Sequence, residues 1–170
     1  MNPFLVRETL PDFYAIKSKH VIPAIDNVIK DNTEVISQIE SMSETPDWIN
    51  FVVPLEICNE KFDRVWSYIN HINSVKSSPS YRKVYNQALV KVTEYSSSLG
   101  QSHTLYKKYK YLLQNNKNLS PSQKKLIKNE IISFELSGVA LAEKQKKRFK
   151  EIQSNLSKLS SSFDENILDS

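Results

Sequence analysis

The most regular hydrophobic pattern of the chain lies in its last segment. Apolar side chains recur three and four positions apart at Phe149, Ile152, Leu156, Leu159 and Phe163. Because an α-helix has 3.6 residues per turn, this spacing places all five side chains, named here the apolar stripe, along one side of a helix. A stripe of this kind normally packs against another apolar surface. We therefore expect the apolar stripe to be buried.

The same periodicity predicts helices upstream. The first begins near His20 and ends near Met42, with Pro23 tolerated in its first turn. Asp47 is the expected N-cap of the next helical region. Pro54 lies inside that region, and a proline costs a helix interior about 3 kcal/mol. The pattern therefore predicts a short helical piece or kink before Pro54 and a long helix after it.

Three further helices are bounded by capping and turn residues. SSPS at residues 77–80 predicts a helix that is capped by Ser78 and runs to residue 99, with Gly100 at its C-terminal stop. A shorter helix is expected at residues 103–114. Ser120 and Gln123 form a capping-box pattern that opens a helix running to about residue 136. Gly138 follows, where this helix either ends or crosses a neighbour closely.

Residues 1–19 differ from the rest of the chain. Pro3 and Pro11 lie among scattered apolar residues, which favours an extended arm over a helix. Phe4, Phe13 and Tyr14 in this arm need a surface to cover them. The predicted organisation is an extended N-terminal arm at residues 1–19 and a helical domain at residues 20–170. The fold class is all-α, with about six mostly antiparallel helices because the loops are short.

Composition supports the helical class and limits the function classes. The chain of 170 residues has two glycines, too few for a sheet with many tight turns or for a glycine-rich phosphate loop. Its 23 basic and 19 acidic residues give a net charge of +4, a mild excess. One cysteine excludes an internal disulfide, and neither a secretory signal nor an apolar run of membrane-spanning length is visible. We expect a cytoplasmic protein with no membrane partner.

Candidate chemistry is sparse. His20, His71 and His103 are the three histidines, and none is paired at the spacing of a His-Glu-x-x-His zinc motif. Cys58, with Lys61 as its one nearby cation, is interpreted as a small core residue. We therefore predict no catalytic, cofactor-binding or metal-binding residue in this chain.

Other polar residues have ordinary structural interpretations. Arg64, His71 and Asn73 lie in an otherwise apolar helix and are interpreted as satisfied hydrogen-bonding groups between helices, not as substrate contacts. Asp164 and Glu165 are adjacent, so on a helix they point about 100° apart and do not form an acid–base pair.

A basic, aromatic surface is the main alternative basis for function. KKYK with Tyr106, Tyr109 and Tyr111, together with Lys124, Lys125 and KQKKRFK, is typical of a helical module that binds single-stranded nucleic acid or a partner helix. A solvated helix face accounts for the same residues. Acidic residues nearly cancel the charge, and Tyr106 and Tyr109 match the buried side of their helix, so nucleic acid is disfavoured as a partner.

Three stretches together resemble one family. They are NPFL with the following LPDF, then INHINSVKSSPSYRKVYNQAL, and finally FELSGVALAEKQKKRFKEIQSNLSKLSSSFDENILD. In their order and spacing they resemble the N-terminal region of the thimet-type zinc oligopeptidases, and within that family the bacterial oligopeptidase A branch.

The resemblance implies a helical N-terminal region that forms about the first quarter of a larger, cytoplasmic zinc peptidase that cleaves short peptides. In that family the zinc ligands and the catalytic glutamate lie far downstream, and the helical region forms one wall of a deep substrate channel. The resemblance also implies that this chain is not an enzyme by itself and holds no cofactor. Zinc, the catalytic domain and short peptides belong to the full-length protein, and we expect this chain to be a truncated product or a free-standing helical homologue.

Overall fold

The computed structural model describes residues 2–6, 11–76 and 78–169, without the side chains of residues 168 and 169. This part of the chain contains six α-helices and no strand, which confirms the all-α class. The helices are α1 (Val21–Ser41), α2 (Val53–Val75), α3 (Pro79–Gly100), α4 (His103–Asn115), α5 (Pro121–Leu136) and α6 (Glu143–Asp169). Predicted features at residues 1, 7–10 and 77, and the side chain of residue 169, lie outside the described residues.

The helix starts follow local capping chemistry. The predicted N-caps are present at Asp47, Ser78 and Ser120. The Ser120 hydroxyl accepts a hydrogen bond from the Gln123 amide at 3.2 Å, and the Gln123 side chain accepts one from the Ser120 amide at 2.8 Å. This reciprocal pair satisfies two amides that have no partner within α5.

Pro54 breaks the second helical region as predicted. Asp47 caps a five-residue π-helix (Trp48–Val52), and α2 begins at Val53 with Pro54 in its first turn. The first amides of a helix have no carbonyl partner within the helix, so the missing N–H of proline costs little there.

The two glycines have different roles. Gly138 has a φ of 79°, in the left-handed region, and the Val139 amide donates to the Phe134 carbonyl at 3.1 Å to close the end of α5. Gly100 is the last residue of α3 and does not have a positive φ. A Cβ at Gly100 would lie 2.7 Å from Cβ of Ser137. The predicted stop at Gly100 is confirmed in position, because α3 ends there, but the residue has no left-handed conformation and instead permits close contact between two helix ends.

The core consists of two hydrophobic clusters joined at Tyr95, whose ring packs against both. One cluster lies between α1, α2 and α3 and includes Phe4, which is fully buried. The other lies between the end of α1, the π-helix, α4 and α5. Elsewhere in the arm, Tyr14 is 94% exposed. The described part of the arm packs on the core at Phe4, Leu5 and Ile16, whereas Tyr14 lies in solvent.

A search of the described helices for membrane-spanning candidates finds none with the necessary length and hydropathy.

Candidate functional site: the exposed face of the last helix

Helix α6 packs on α3 through polar side chains. Thr93 donates a hydrogen bond to the Ser157 hydroxyl at 3.1 Å. The amide side chain of Asn86 accepts from the Ser161 hydroxyl at 2.8 Å and donates to the Glu165 carboxylate at 2.9 Å. The sequence gives no apolar signal for these contacts, because serines within a helix are typical of a solvated surface. They nevertheless determine which side of α6 faces α3.

The apolar stripe lies on the opposite side of α6. Its central and C-terminal members are largely exposed: Ile152 by 48%, Leu156 by 55%, Leu159 by 68% and Phe163 by 65%. Each residue turns a helix by about 100°, which places these residues roughly opposite Ser157. The prediction that the stripe is buried is therefore wrong within this chain. Helix α3 contacts the polar side of α6, and no described helix covers the apolar side.

Helix α5 adds two exposed apolar side chains close to α6. Ile132 is 51% exposed and Leu136 is 76% exposed. Both line a groove of about 450 Å³ between α3, α5 and α6, and Phe149, the first residue of the stripe, lines the same groove. Ile132, Leu136 and the apolar stripe are named here the apolar face. Exposed apolar side chains grouped on one part of a folded protein are typical of a site of interaction.

The C-terminal part of α6 is acidic where it meets α3. The pKa of Tyr85 lies above its ordinary value, mainly because the phenol is buried and in smaller part because the carboxylates of Asp164 and Glu165 lie nearby. The phenol therefore stays protonated and donates to the Asn70 side chain at 2.8 Å. This interaction ties α3 to α2 and does not involve the apolar face.

The structure does not bring the three histidines together. His20 ends a 3-10 helix (Ser18–His20), where its Nδ1 accepts from the Lys17 amide at 3.1 Å. His71 is exposed on α2, with its ring 5.9 Å from that of Phe13, and His103 opens α4. Within residues 2–6, 11–76 and 78–169, no group of three or more His, Cys, Asp or Glu side chains could hold a metal ion. The described residues thus do not fit the zinc site of a peptidase.

Cys58 is buried, and burial raises the pKa of its thiol, although the nearby Lys61 acts in the opposite direction. The interpretation of Cys58 as a core residue is confirmed. Arg64 pairs with Glu60 on its own helix at 2.8 Å. The side-chain oxygen of Asn73 is buried and has no hydrogen-bond partner among the described residues. The prediction of a satisfied hydrogen bond is therefore wrong for that oxygen.

The proposed basic, aromatic surface is only partly assembled. Tyr109 is buried, and the Tyr106 hydroxyl donates to Glu135 at 2.8 Å, so Tyr111 is the one exposed tyrosine of these three. Lys108 donates to the Met42 carbonyl at 3.0 Å. Binding of a single strand requires successive exposed rings on which bases stack, and this helix face does not provide them.

Comparison with known proteins identifies the domain. The family model described as Neurolysin/Thimet oligopeptidase, N-terminal domain, matches residues 25–146. Oligopeptidase A of Haemophilus influenzae is 39% identical over 170 residues, which cover 99% of this chain and 25% of the relative. Oligopeptidase A of Salmonella typhimurium is 36% identical with the same coverage. Dipeptidyl carboxypeptidase of Escherichia coli is 25% identical over 174 residues, covering 99% of this chain and 26% of the relative.

The chain thus spans about a quarter of the length of the curated relatives it matches. The resemblance seen in the sequence is confirmed over the whole chain, including the segment that forms α6. By the family model and these relatives, the chain belongs to the neurolysin/thimet oligopeptidase family and corresponds to its helical N-terminal domain.

Proposed function

We propose that this chain is the non-catalytic, helical N-terminal portion of a cytoplasmic zinc oligopeptidase that hydrolyses short peptides. The observation that carries the proposal is the apolar stripe of α6, which is exposed on the side opposite α3. The match covers 25% of a relative such as oligopeptidase A of Haemophilus influenzae. The other three quarters of such a polypeptide can cover this face.

Covering the apolar face provides a driving force for assembly. Fully burying a leucine or phenylalanine side chain contributes about 1.5–3 kcal/mol. Leu156, Leu159 and Phe163 are 55–68% exposed, so more than half of that contribution is unrealised at each position. The rest of the polypeptide gains this stabilisation when it packs on α6.

The channel-wall role that the family resemblance implies is part of this proposal. The core between α1 and α5 makes a rigid helical body, and docking through α6 positions that body against the catalytic part. A helical wall facing a zinc site leaves a narrow passage that admits short, flexible peptides and excludes folded proteins. In this proposal the zinc ligands and the catalytic residues belong to the remainder of the polypeptide.

A chimera tests the proposal. In it, this chain replaces the matching quarter of Haemophilus influenzae oligopeptidase A, and the assay is cleavage of a quenched fluorescent short peptide. We expect chelator-sensitive cleavage by the chimera, no cleavage by the purified 170-residue chain, and no cleavage of a folded protein by either. Chelator-sensitive cleavage by the 170-residue chain alone would contradict the non-catalytic role. A monomeric, folded but inactive chimera would contradict the structural role.

A further inference from the structure

The apolar stripe of α6 is nearly the same in both directions along the helix. From either end it consists of an aromatic residue, three aliphatic residues and a second aromatic residue. Phe149 and Phe163 each lie seven residues from Leu156, and Ile152 and Leu159 lie four and three residues from it. An interface between two identical copies related by a two-fold axis requires a surface that is complementary to itself. The stripe has this property when two copies of α6 lie antiparallel.

Antiparallel pairing about Leu156 matches the stripe along its whole length. Phe149 then lies opposite the partner's Phe163, and the two copies of Leu156 meet at the axis. Ile152 lies opposite the partner's Leu159. The stripe extends from residue 149 to residue 163, about 21 Å of helix at 1.5 Å per residue. Neither hydrophobic cluster of the described core includes a residue of α6, so this pairing displaces no core contact.

The groove of about 450 Å³ at the N-terminal end of the stripe fits the same pairing. Ile132, Leu136 and Phe149 line this groove. Because the partner's Phe163 lies opposite Phe149 in the antiparallel arrangement, its ring can enter the groove. Phe163 is 65% exposed and Leu136 is 76% exposed, so both side chains become covered. The two-fold axis repeats this contact at the other end of the helix pair.

The charges at the two ends of α6 favour the antiparallel orientation. Residues 143–151 contain five basic and two acidic residues, a net charge of +3. Residues 159–169 contain three acidic residues and no basic residue, a net charge of −3. Antiparallel pairing places the basic end of each helix beside the acidic end of the other, whereas parallel pairing places like charges together. Packed helix axes lie about 8–10 Å apart, comparable with the Debye length at physiological salt, so this attraction is only partly screened.

We propose that the apolar stripe binds the stripe of a second copy of this chain, so that the isolated chain forms an antiparallel, two-fold dimer through α6. The inference rests on the exposed face that the proposed function also uses. The remaining polypeptide and a second copy cover the same side chains, so the chimera described above should remain monomeric.

The size of the interface sets its affinity. One helix and one groove from each copy bury less than the roughly 1,200 Å² of total surface that stable complexes usually bury, so we expect a dissociation constant of about 10 μM. Below about 1 μM the isolated chain is then mainly monomeric, and unfolding measured at that concentration reports on the monomer.

Sedimentation equilibrium of the 170-residue chain between about 1 and 200 μM tests the proposal. We expect a reversible monomer–dimer equilibrium. The double variant Leu156→Gln and Leu159→Gln should raise the dissociation constant at least about thirtyfold, and Leu136→Gln, in the groove, should raise it about fivefold. The matched control, Asn155→Gln with Ser162→Gln, should change it by less than about threefold. A wild-type chain that is monomeric at every concentration would overturn the proposal.

Disulfide cross-linking under oxidised glutathione tests the orientation independently of these variants. In a Cys58→Ala background, Leu156→Cys should cross-link to itself because this position lies at the axis. Ile152→Cys and Leu159→Cys should each fail to cross-link alone, because antiparallel pairing separates the two copies of either residue by about 10 Å along the helix. A mixture of these two variants should cross-link. Failure of Leu156→Cys, or cross-linking of Ile152→Cys to itself as efficiently as in the mixture, would overturn the antiparallel dimer.

A charge variant tests the electrostatic part of the argument. Asp164 is exposed near the acidic end of α6. At low ionic strength, Asp164→Lys should raise the dissociation constant by about threefold, because it places a cation beside the basic end of the partner helix. An unchanged dissociation constant would contradict the orientation that the charges favour.

The chimera separates this inference from the proposed function. A monomeric isolated chain together with an active chimera would overturn the dimer and leave the proposed function intact. A dimeric isolated chain together with an inactive, folded chimera would support the dimer and contradict the structural role.

Discussion

Polar replacement of the apolar stripe should disrupt assembly while leaving the isolated domain folded. The double variant Leu156→Gln and Leu159→Gln changes two residues that are 55% and 68% exposed. Leucine and glutamine have similar helix propensities, so the substitution alters apolar surface more than it alters the helix. The matched control is Asn155→Gln with Ser162→Gln, which places the same side chain at exposed positions on the flank of α6.

The exposed fractions set the expected magnitude. If full burial of a leucine contributes about 2 kcal/mol, covering the two residues adds about 2.5 kcal/mol of docking free energy. In the chimera with Haemophilus influenzae oligopeptidase A, the double variant should lose about this much, equivalent to nearly a hundredfold change in the docking equilibrium. The isolated chain should lose about 1–2 kcal/mol, because the two leucines are partly buried there already.

Urea unfolding measures the loss of unfolding free energy in the chimera and in the isolated chain. Peptide hydrolysis by the chimera is a second readout. The control variant should change neither quantity by more than about 0.5 kcal/mol. Equal losses for stripe and control variants would refute the reasoning. So would a loss in the isolated chain as large as the loss in the chimera.

Three further predictions follow from individual features. A hydrophobic fluorescent dye should bind the isolated chain and bind the stripe double variant more weakly; equal fluorescence would show that the dye binds elsewhere. Because the pKa of Glu130 is raised above its ordinary 4.5, its contribution to stability is present below pH 4.5 and is lost as the pH rises through the folded-state pKa. As the pH rises through this range, urea unfolding should therefore show a smaller loss of stability in Glu130→Gln than in the wild type. The same pH profile in both proteins would contradict the raised pKa of Glu130. Gly100→Ala should destabilise the chain by about 1–3 kcal/mol, because the new Cβ would lie 2.7 Å from Cβ of Ser137, and Ser137→Gly should restore much of the loss in thermal unfolding.

Much of the helical framework is predictable from local sequence. The caps at Asp47, Ser78 and Ser120 and the break at Pro54 arise from hydrogen bonds and backbone restrictions within a few residues, so the sequence contains the relevant information. Gly100 shows the limit of such reasoning. Its contact with Ser137 joins positions that are distant in sequence, and a pattern of neighbouring residues does not reveal it.

The sequence pattern does not reveal the pocket of about 300 Å³ between α2, α3, α4 and α5. Asp63 and Glu130 lie on α2 and α5, and each by itself is an ordinary charged residue on a helix. Only the packing of the helices brings them to one pocket, which Tyr109 also lines. The sequence pattern places Tyr109 correctly on the buried side of α4, but its neighbours in the pocket depend on how the surrounding helices pack.

The sequence by itself determined that the last segment is an amphipathic helix, because the spacing of its apolar residues is a local property. It did not determine which side of that helix faces the rest of the domain. Tertiary structure decided this through hydrogen bonds from Ser157 and Ser161 to α3, which leave the apolar stripe exposed. The spacing of apolar residues shows that one side of a helix favours burial. Which surface covers that side depends on contacts with residues outside the helix.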